Sequence, residues 1–173
     1  MKNDQRRLRD RVAVFACIAI ATIAIDRTIR VIPGLHSLTL VRNPGASLGM
    51  GSGMTWLISL LAMAACVALV VLAVRTISMK WTVLFAFAFA GAFGNLIDRV
   101  IYAEGFLNGK VVDFLNYGWS IGNVADIFLM LAGVAAVLLL FLGEPFSQKD
   151  LDEANGKTLG DDANATDDGA KAA

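Results

Sequence analysis

The chain has 173 residues, of which 57% are hydrophobic and only 17% are charged, and its mean hydropathy is +0.63. A soluble domain of this length would be less apolar and more charged, so the composition indicates a membrane protein. The net charge of zero conceals an asymmetry, because residues 144–173 carry eight acids and three bases whereas residues 1–143 carry a net charge of +5. Since the basic part is also the apolar part, we do not interpret its charge as a nucleic-acid-binding surface.

In chain order, a basic segment of residues 1–11 precedes four long apolar segments, each long enough to cross about 30 Å of hydrocarbon as a helix. The four predicted spans cover residues 12–29, 56–73, 81–97 and 121–142. Four spans place both termini on the same side. The N-terminal bases, with Arg75 and Lys80 between spans two and three, identify that side as the cytoplasm.

Two segments lie outside this four-span domain, which we assign to residues 12–142. Residues 33–50 form an outer extension, in which the alternating residues 37–42 favour a short strand and Asn43-Pro44-Gly45 is typical of a turn. Residues 143–173 are acidic and poor in large apolar side chains, so we expect a disordered cytoplasmic tail. The predicted fold class is therefore an all-α membrane protein with four transmembrane helices and a small extracytoplasmic, partly β, extension.

Metal and redox chemistry find little support in the sequence. Cys17 and Cys66 lie within apolar runs and neither belongs to a CxxC motif. His36 is the single histidine, and no HExxH motif is present. We therefore expect neither a metal site nor an organic cofactor.

The polar residues near the membrane converge at one depth. Given the predicted topology, a set of acids, amides and one arginine falls at the outer ends of the spans or in the outer loops. This set comprises Asp26, Asn43, Asn95, Asp98, Arg99, Asp113, Asn123 and Asp126. Ionisable groups at a membrane boundary are costly unless they are paired or functional, so this cluster is the candidate site.

Spacing and surroundings distinguish the acids of this cluster. Asp98 and Arg99 are most simply a structural ion pair at the end of span three, and Asp26 beside Arg27 is likewise structural. Asp113 has apolar neighbours in sequence, whereas Asp126 lies near a helix N-terminus, three residues after Asn123. Two carboxylates in different surroundings can share one proton, so that one acts as base toward a water and the other as acid toward a carbonyl oxygen. A proton relay or ion-transport role for the same acids remains open.

Five short motifs in this order resemble lipoprotein signal peptidase (signal peptidase II), a bacterial family of four-span aspartic proteases. The motifs are Asp26 near the end of span one, Asn43-x-Gly45-Ala46, Gly94-Asn95-x-x-Asp98-Arg99, Val111-Val112-Asp113-Phe114 and Asn123-x-Ala125-Asp126. The resemblance covers about residues 12–142. Three features differ from the family's usual pattern: Gly122 replaces an aromatic residue, Arg27 replaces a glutamine, and the segment between Asp113 and Asp126 is shorter.

The resemblance implies an endopeptidase that removes the signal peptide from a prolipoprotein by cutting before a diacylglyceryl-modified cysteine. It implies that Asp113 and Asp126 are catalytic, and that the other matched residues bind substrate or shape the site. Those other residues are Asp26, Asn43, Gly45, Asn95, Asp98, Arg99 and Asn123.

We therefore expect a monomer in the bacterial cytoplasmic (inner) membrane, with its site near the extracytoplasmic face. Its expected partners are lipid-modified prolipoproteins and membrane lipid, and not nucleic acid. Two other interpretations use the same residues. A small proton-coupled transporter would favour polar groups near the bilayer midplane, open to each side in turn. A non-catalytic adaptor would bind lipidated partners without cutting them.

Overall fold

The computed structural model describes residues 2–31, 41–45 and 50–156. Four helices dominate it: α1 (Lys2–Val31), α2 (Thr55–Arg75), α3 (Met79–Ile101) and α4 (Val124–Phe141). Each is long and apolar enough to cross a membrane. The predicted four-span, all-α membrane class is therefore confirmed, and the chain is a multi-pass membrane protein.

Helix α3 is the centre of the bundle, and each of the other three long helices packs against it. Half of its most apolar window is buried inside the protein, against 17% for each of the other spans. Small residues allow this close approach. A Cβ built on Gly91 would lie 2.7 Å from both the Ala125 carbonyl oxygen and Leu129 Cγ, so α4 crosses α3 with no room for a side chain at this position.

Two small antiparallel sheets cover one end of the bundle. Strand β1 (Val41–Asn43) pairs with β2 (Val111–Asp113) so that Asn43 lies opposite Val111. Strand β3 (Leu115–Asn116) pairs with β4 (Ile121–Gly122), closing a short hairpin. The expected partly β extension is confirmed, although residues 37–40 of the predicted strand lie outside the described residues.

Helix α4 starts at Val124 rather than at the predicted residue 121, because residues 121–122 belong to β4 and Asn123 caps the helix. The Asn123 side chain accepts a hydrogen bond from the Asp126 backbone N–H, and the Asp126 side chain accepts one from the Asn123 backbone N–H. This reciprocal capping box satisfies two N–H groups that would otherwise lack partners at the helix start.

The chain beyond α4 folds back on the opposite end of the bundle. Phe146 packs edge-on against the rings of Trp81 and Phe85, and its carbonyl accepts hydrogen bonds from Thr76 and Ile77. A short helix follows over residues 148–156. This start of the tail differs from the disorder that its composition predicts, because Phe146 supplies an apolar anchor. Residues 157–173, the rest of that prediction, lie outside the described residues.

Candidate active site

Asp113 and Asp126 lie at the end of the bundle that carries the two sheets, and one side chain links them. The Asn123 amide nitrogen donates to Asp113 Oδ1 at 2.8 Å and to Asn95 Oδ1 at 2.9 Å. The Asn123 amide oxygen accepts from the Asp126 backbone N–H at 3.1 Å. Asn123 is fully buried. A single amide therefore fixes the N-terminus of α4 and the carboxylate of Asp113 in one arrangement.

Each carboxylate has further donors of its own. Asn43 Nδ2 donates to Asp113 Oδ2 at 3.0 Å, which the β1–β2 pairing makes possible. Asn95 Nδ2 donates to Asp126 Oδ1 at 3.0 Å, and the Asn123 backbone N–H donates to Asp126 Oδ2 at 3.0 Å. Asp113 is buried whereas Asp126 is half-buried, so water reaches the two acids unequally.

Arg99 holds the loops at the sheet-bearing end of the bundle in place through their backbone. Its guanidinium donates to the carbonyls of Gly45 at 2.5 Å, Gly109 at 3.2 Å and Pro44 at 3.4 Å. The Gly45 N–H in turn donates to Asn43 Oδ1 at 2.9 Å, a side-chain turn that presents the Asn43 amide to the acid pair. Arg99 and Gly45 therefore position Asn43 indirectly. Ala46, the last residue of this motif, lies outside the described residues.

Arg27 joins helix α1 to α3 beside the site and faces both Asp26 and Asp98. Arg27 Nη1 forms an ion pair with Asp98 Oδ1 at 2.6 Å, Arg27 Nη2 donates to the Gly94 carbonyl, and Arg27 Nε lies 3.5 Å from Asp26 Oδ2. The other Asp98 oxygen accepts from the Val112 N–H at 3.0 Å, which fixes β2. The predicted Asp98–Arg99 pair is thus replaced by a bridge from Arg27, which sequence reasoning did not place in the site.

A cavity of about 500 Å³ opens onto the acid pair. Its polar end contains both catalytic candidates together with Asn43, Asn95 and Arg99, whereas its walls are apolar. The wall residues from α2, α3 and α4 are Ile58, Ala62, Ala92, Ile127, Leu129 and Met130. A polar end with fixed carboxylates and an apolar body suits an amphipathic ligand that presents a polar bond to the acids.

Tyr117 also lines this cavity, and sequence reasoning missed it because nothing in the local pattern distinguishes it from a surface turn residue. Its hydroxyl donates to the Asn123 carbonyl at 3.1 Å. Partial burial, followed by the negative charges of Asp126 and Asp113, raises the pKa of Tyr117 above its usual value of 10.0. The phenol therefore stays protonated and remains a donor at neutral pH.

Residues 12–142 match the family described as signal peptidase (SPase) II. The chain belongs to the signal peptidase II family. This confirms the resemblance of the five motifs and makes the protein a membrane peptidase.

Related proteins carry the same name across several bacteria. A lipoprotein signal peptidase of Bifidobacterium adolescentis is 91% identical, with all of both chains covered, and one of Bifidobacterium longum subsp. infantis is 66% identical over 92% of this chain and 95% of that one. One of Rhodococcus jostii is 39% identical over 73% of this chain and 64% of that one.

Two solved bacterial membrane enzymes, both determined by the in meso method, share the fold of this signal peptidase II family member. The structure at 2.3 Å resolution has a TM-score of 0.63 and 28% identity, covering 75% of this chain and 88% of that one. The structure at 1.9 Å resolution has a TM-score of 0.57 and 24% identity, covering 76% and 92%.

Proposed function

We propose that this peptidase is an aspartic endopeptidase of the bacterial cytoplasmic membrane that removes the signal peptide from prolipoproteins, cutting before the diacylglyceryl-modified cysteine. The observation that carries the proposal is the Asn123 amide, which ties Asp113 to the helix end that presents Asp126, at the polar end of an apolar cavity. The name shared by the relatives, lipoprotein signal peptidase, supports the choice of substrate.

The proximity of Asp113 and Asp126 supports a shared proton on this pair. Asp26 and Asp98 already face the guanidinium of Arg27. Asp113 and Asp126 receive their described hydrogen bonds from neutral amide and backbone N–H groups. Both acids line the same end of one cavity, and retaining one proton between two neighbouring carboxylates lowers their mutual repulsion.

That proton gives the two acids complementary tasks. The ionised carboxylate takes a proton from a water, whose oxygen attacks the scissile carbonyl carbon, while the protonated acid donates to the carbonyl oxygen. As the tetrahedral intermediate collapses, the acid that took the water's proton gives it to the leaving nitrogen, the other carboxylate takes a proton back from the hydroxyl on the carbonyl carbon, and the C–N bond breaks. One chain supplies both acids, so we propose that the enzyme works as a monomer.

The cavity walls and the charge distribution support a position for the substrate. The apolar side chains of α2 and α4 would accept the acyl chains and the last turns of the signal helix, leaving the scissile bond at the polar end. The bases at the N-terminus and between α2 and α3 support a cytoplasmic position for the opposite end of the bundle. Trp119, which is 78% exposed beside the site, fits the extracytoplasmic membrane–water interface of the cytoplasmic membrane, where exposed tryptophans are favoured.

The test is cleavage of a diacylglyceryl prolipoprotein by the purified full-length protein in detergent. We expect wild type to cut before the lipidated cysteine, and Asp113→Asn and Asp126→Asn to lose at least about 10³-fold in kcat while binding substrate and keeping the wild-type unfolding temperature. Glu104→Gln is the matched control, because Glu104 is an exposed acid in the same outer region and lies outside the cavity. It should cut at the wild-type rate.

Each contrary result identifies a different error. If both Asp variants cut normally, the acid pair is not catalytic. If wild type binds the lipidated substrate but never cuts it, the protein is an adaptor. If cleavage occurs equally well without the diacylglyceryl group, the assignment of substrate is wrong although the peptidase mechanism stands.

A further inference from the structure

The β3–β4 hairpin has a defined turn that carries the aromatic residues Tyr117 and Trp119. The Tyr117 N–H donates to the Ser120 carbonyl at 2.8 Å, and the Gly118 N–H donates to Asn116 Oδ1 at 2.7 Å. Gly118 has a φ of 87°, a conformation that favours glycine. Both aromatic residues of this turn line the cavity beside the acid pair, and Tyr117 is the less exposed of the two, at 37% against 78% for Trp119.

Neighbouring side chains leave no room for a side chain at Gly122. Its φ is not positive, so the backbone conformation of β4 does not require glycine. A Cβ at Gly122 would nevertheless lie 2.7 Å from Asp126 Oδ2, 2.9 Å from Tyr117 Cε2 and 3.2 Å from the Tyr117 hydroxyl oxygen. The carboxylate and the edge of the phenol ring therefore meet over the Cα of Gly122, in space that any side chain would occupy.

The Tyr117 hydroxyl also contacts the residue that links the two acids. It donates to the carbonyl of Asn123, the residue whose side chain links Asp113 to the start of α4. The ring thus restrains the backbone of the linking residue and lies beside Asp126. Asp126 is the more exposed of the two acids, so this ring limits the directions from which water approaches it.

We propose that Tyr117 is a positioning residue for the acid pair and that Gly122 is the glycine that makes room for it. This inference rests on the proposed catalytic role of Asp113 and Asp126. Tyr117 does not exchange a proton with the substrate. It fixes the Asn123 backbone and the Asp126 carboxylate so that both acids stay aligned with the attacking water.

Steady-state cleavage of the lipidated prolipoprotein by full-length variants tests the proposal. Tyr117→Phe keeps the ring and loses one hydrogen bond, so kcat should fall about tenfold with KM unchanged. Tyr117→Ala also removes the ring, and kcat should fall about 100-fold or more. Tyr102→Phe is the matched control. Its ring lies on the outer surface under Arg42, outside the cavity, and it should behave as wild type.

A double-mutant cycle tests the pairing of the two positions. Gly122→Ala alone should lower kcat strongly, because the new methyl group displaces both the ring and the carboxylate. In the Tyr117→Ala background, Gly122→Ala should lower kcat by a factor at least about fivefold smaller than in wild type, since the ring no longer confines Asp126. Independent effects of the two substitutions would contradict the proposed pairing.

The outcomes are distinguishable from failure of the proposed function. If Asp113→Asn and Asp126→Asn are inactive but both Tyr117 variants remain within about twofold of wild type, Tyr117 has no positioning role and the peptidase proposal stands. A fall in kcat that is matched by a rise in KM would assign Tyr117 to substrate binding and overturn the inference. Should Tyr117→Ala fail to fold, Tyr117→Phe decides alone.

Discussion

Replacing Asn123 should damage the site more than replacing any other amide in it, because its side chain bonds three groups at once. Asn123→Ala removes a helix cap worth about 1 kcal/mol. It also removes a donor to the Asp113 carboxylate worth about 1.5–3 kcal/mol and an amide–amide bond to Asn95 worth about 1 kcal/mol. The total is about 4 kcal/mol, and water entering the cavity would offset part of it.

Asn123→Ser separates the contribution of the helix cap from that of the bonds to Asp113 and Asn95. Serine caps a helix about as well as asparagine, so its unfolding temperature in detergent should lie between those of wild type and Asn123→Ala, above Ala by the roughly 1 kcal/mol of the cap. The shorter side chain cannot reach Asp113 and Asn95, so kcat should fall about 100-fold in both the Ser and the Ala variants. Asn155→Ala, at an exposed asparagine in the short helix over residues 148–156 and outside the cavity, is the control for stability and activity. Wild-type cleavage by the Ser variant would refute the claim that this amide aligns the acids.

The remaining predictions concern the two ends of the bundle. Arg99→Lys should lower kcat/KM about 10–100-fold, because an ammonium cannot replace the planar guanidinium that bonds three carbonyls, and equal kinetics would exclude this role. Phe146→Ala should lower the free energy of unfolding by about 2 kcal/mol through lost contact with Trp81 while leaving kcat unchanged, and a stability equal to wild type would show that the tail does not dock. Hydrogen bonds from Lys80 and Ser78 lower the pKa of Glu144 below its ordinary 4.5. The ionised Glu144 carboxylate therefore stabilises the folded protein fully above about pH 4.5, and this stabilisation is lost as the pH falls through the lowered pKa. Thermal unfolding of Glu144→Gln from about pH 7 to about pH 3 should therefore lack that acid-dependent decrease, and an unchanged pH profile would contradict it.

The sequence by itself predicted the spans and the end of the bundle where the polar groups gather. Span length and charge distribution are local properties, and the bilayer admits few solutions for an apolar segment of about 20 residues. The residues alone made Asp113 and Asp126 a candidate pair, because Asp113 has apolar neighbours and Asp126 lies near a predicted helix N-terminus, and the family resemblance then implied that both are catalytic. Composition was less informative for the start of the tail, where one aromatic residue, Phe146, suffices to anchor an otherwise polar segment.

Only the tertiary structure decided which polar groups are partners. The bridge from Arg27 to Asp98 joins two helices, so it depends on how those helices are rotated and on how closely they cross, which no local periodicity specifies. The position of Tyr117 over Gly122 depends on the turn of a short hairpin and on the absence of one methyl group. Distances of a few tenths of an ångström decide whether such groups bond or clash, and packing between distant segments sets those distances.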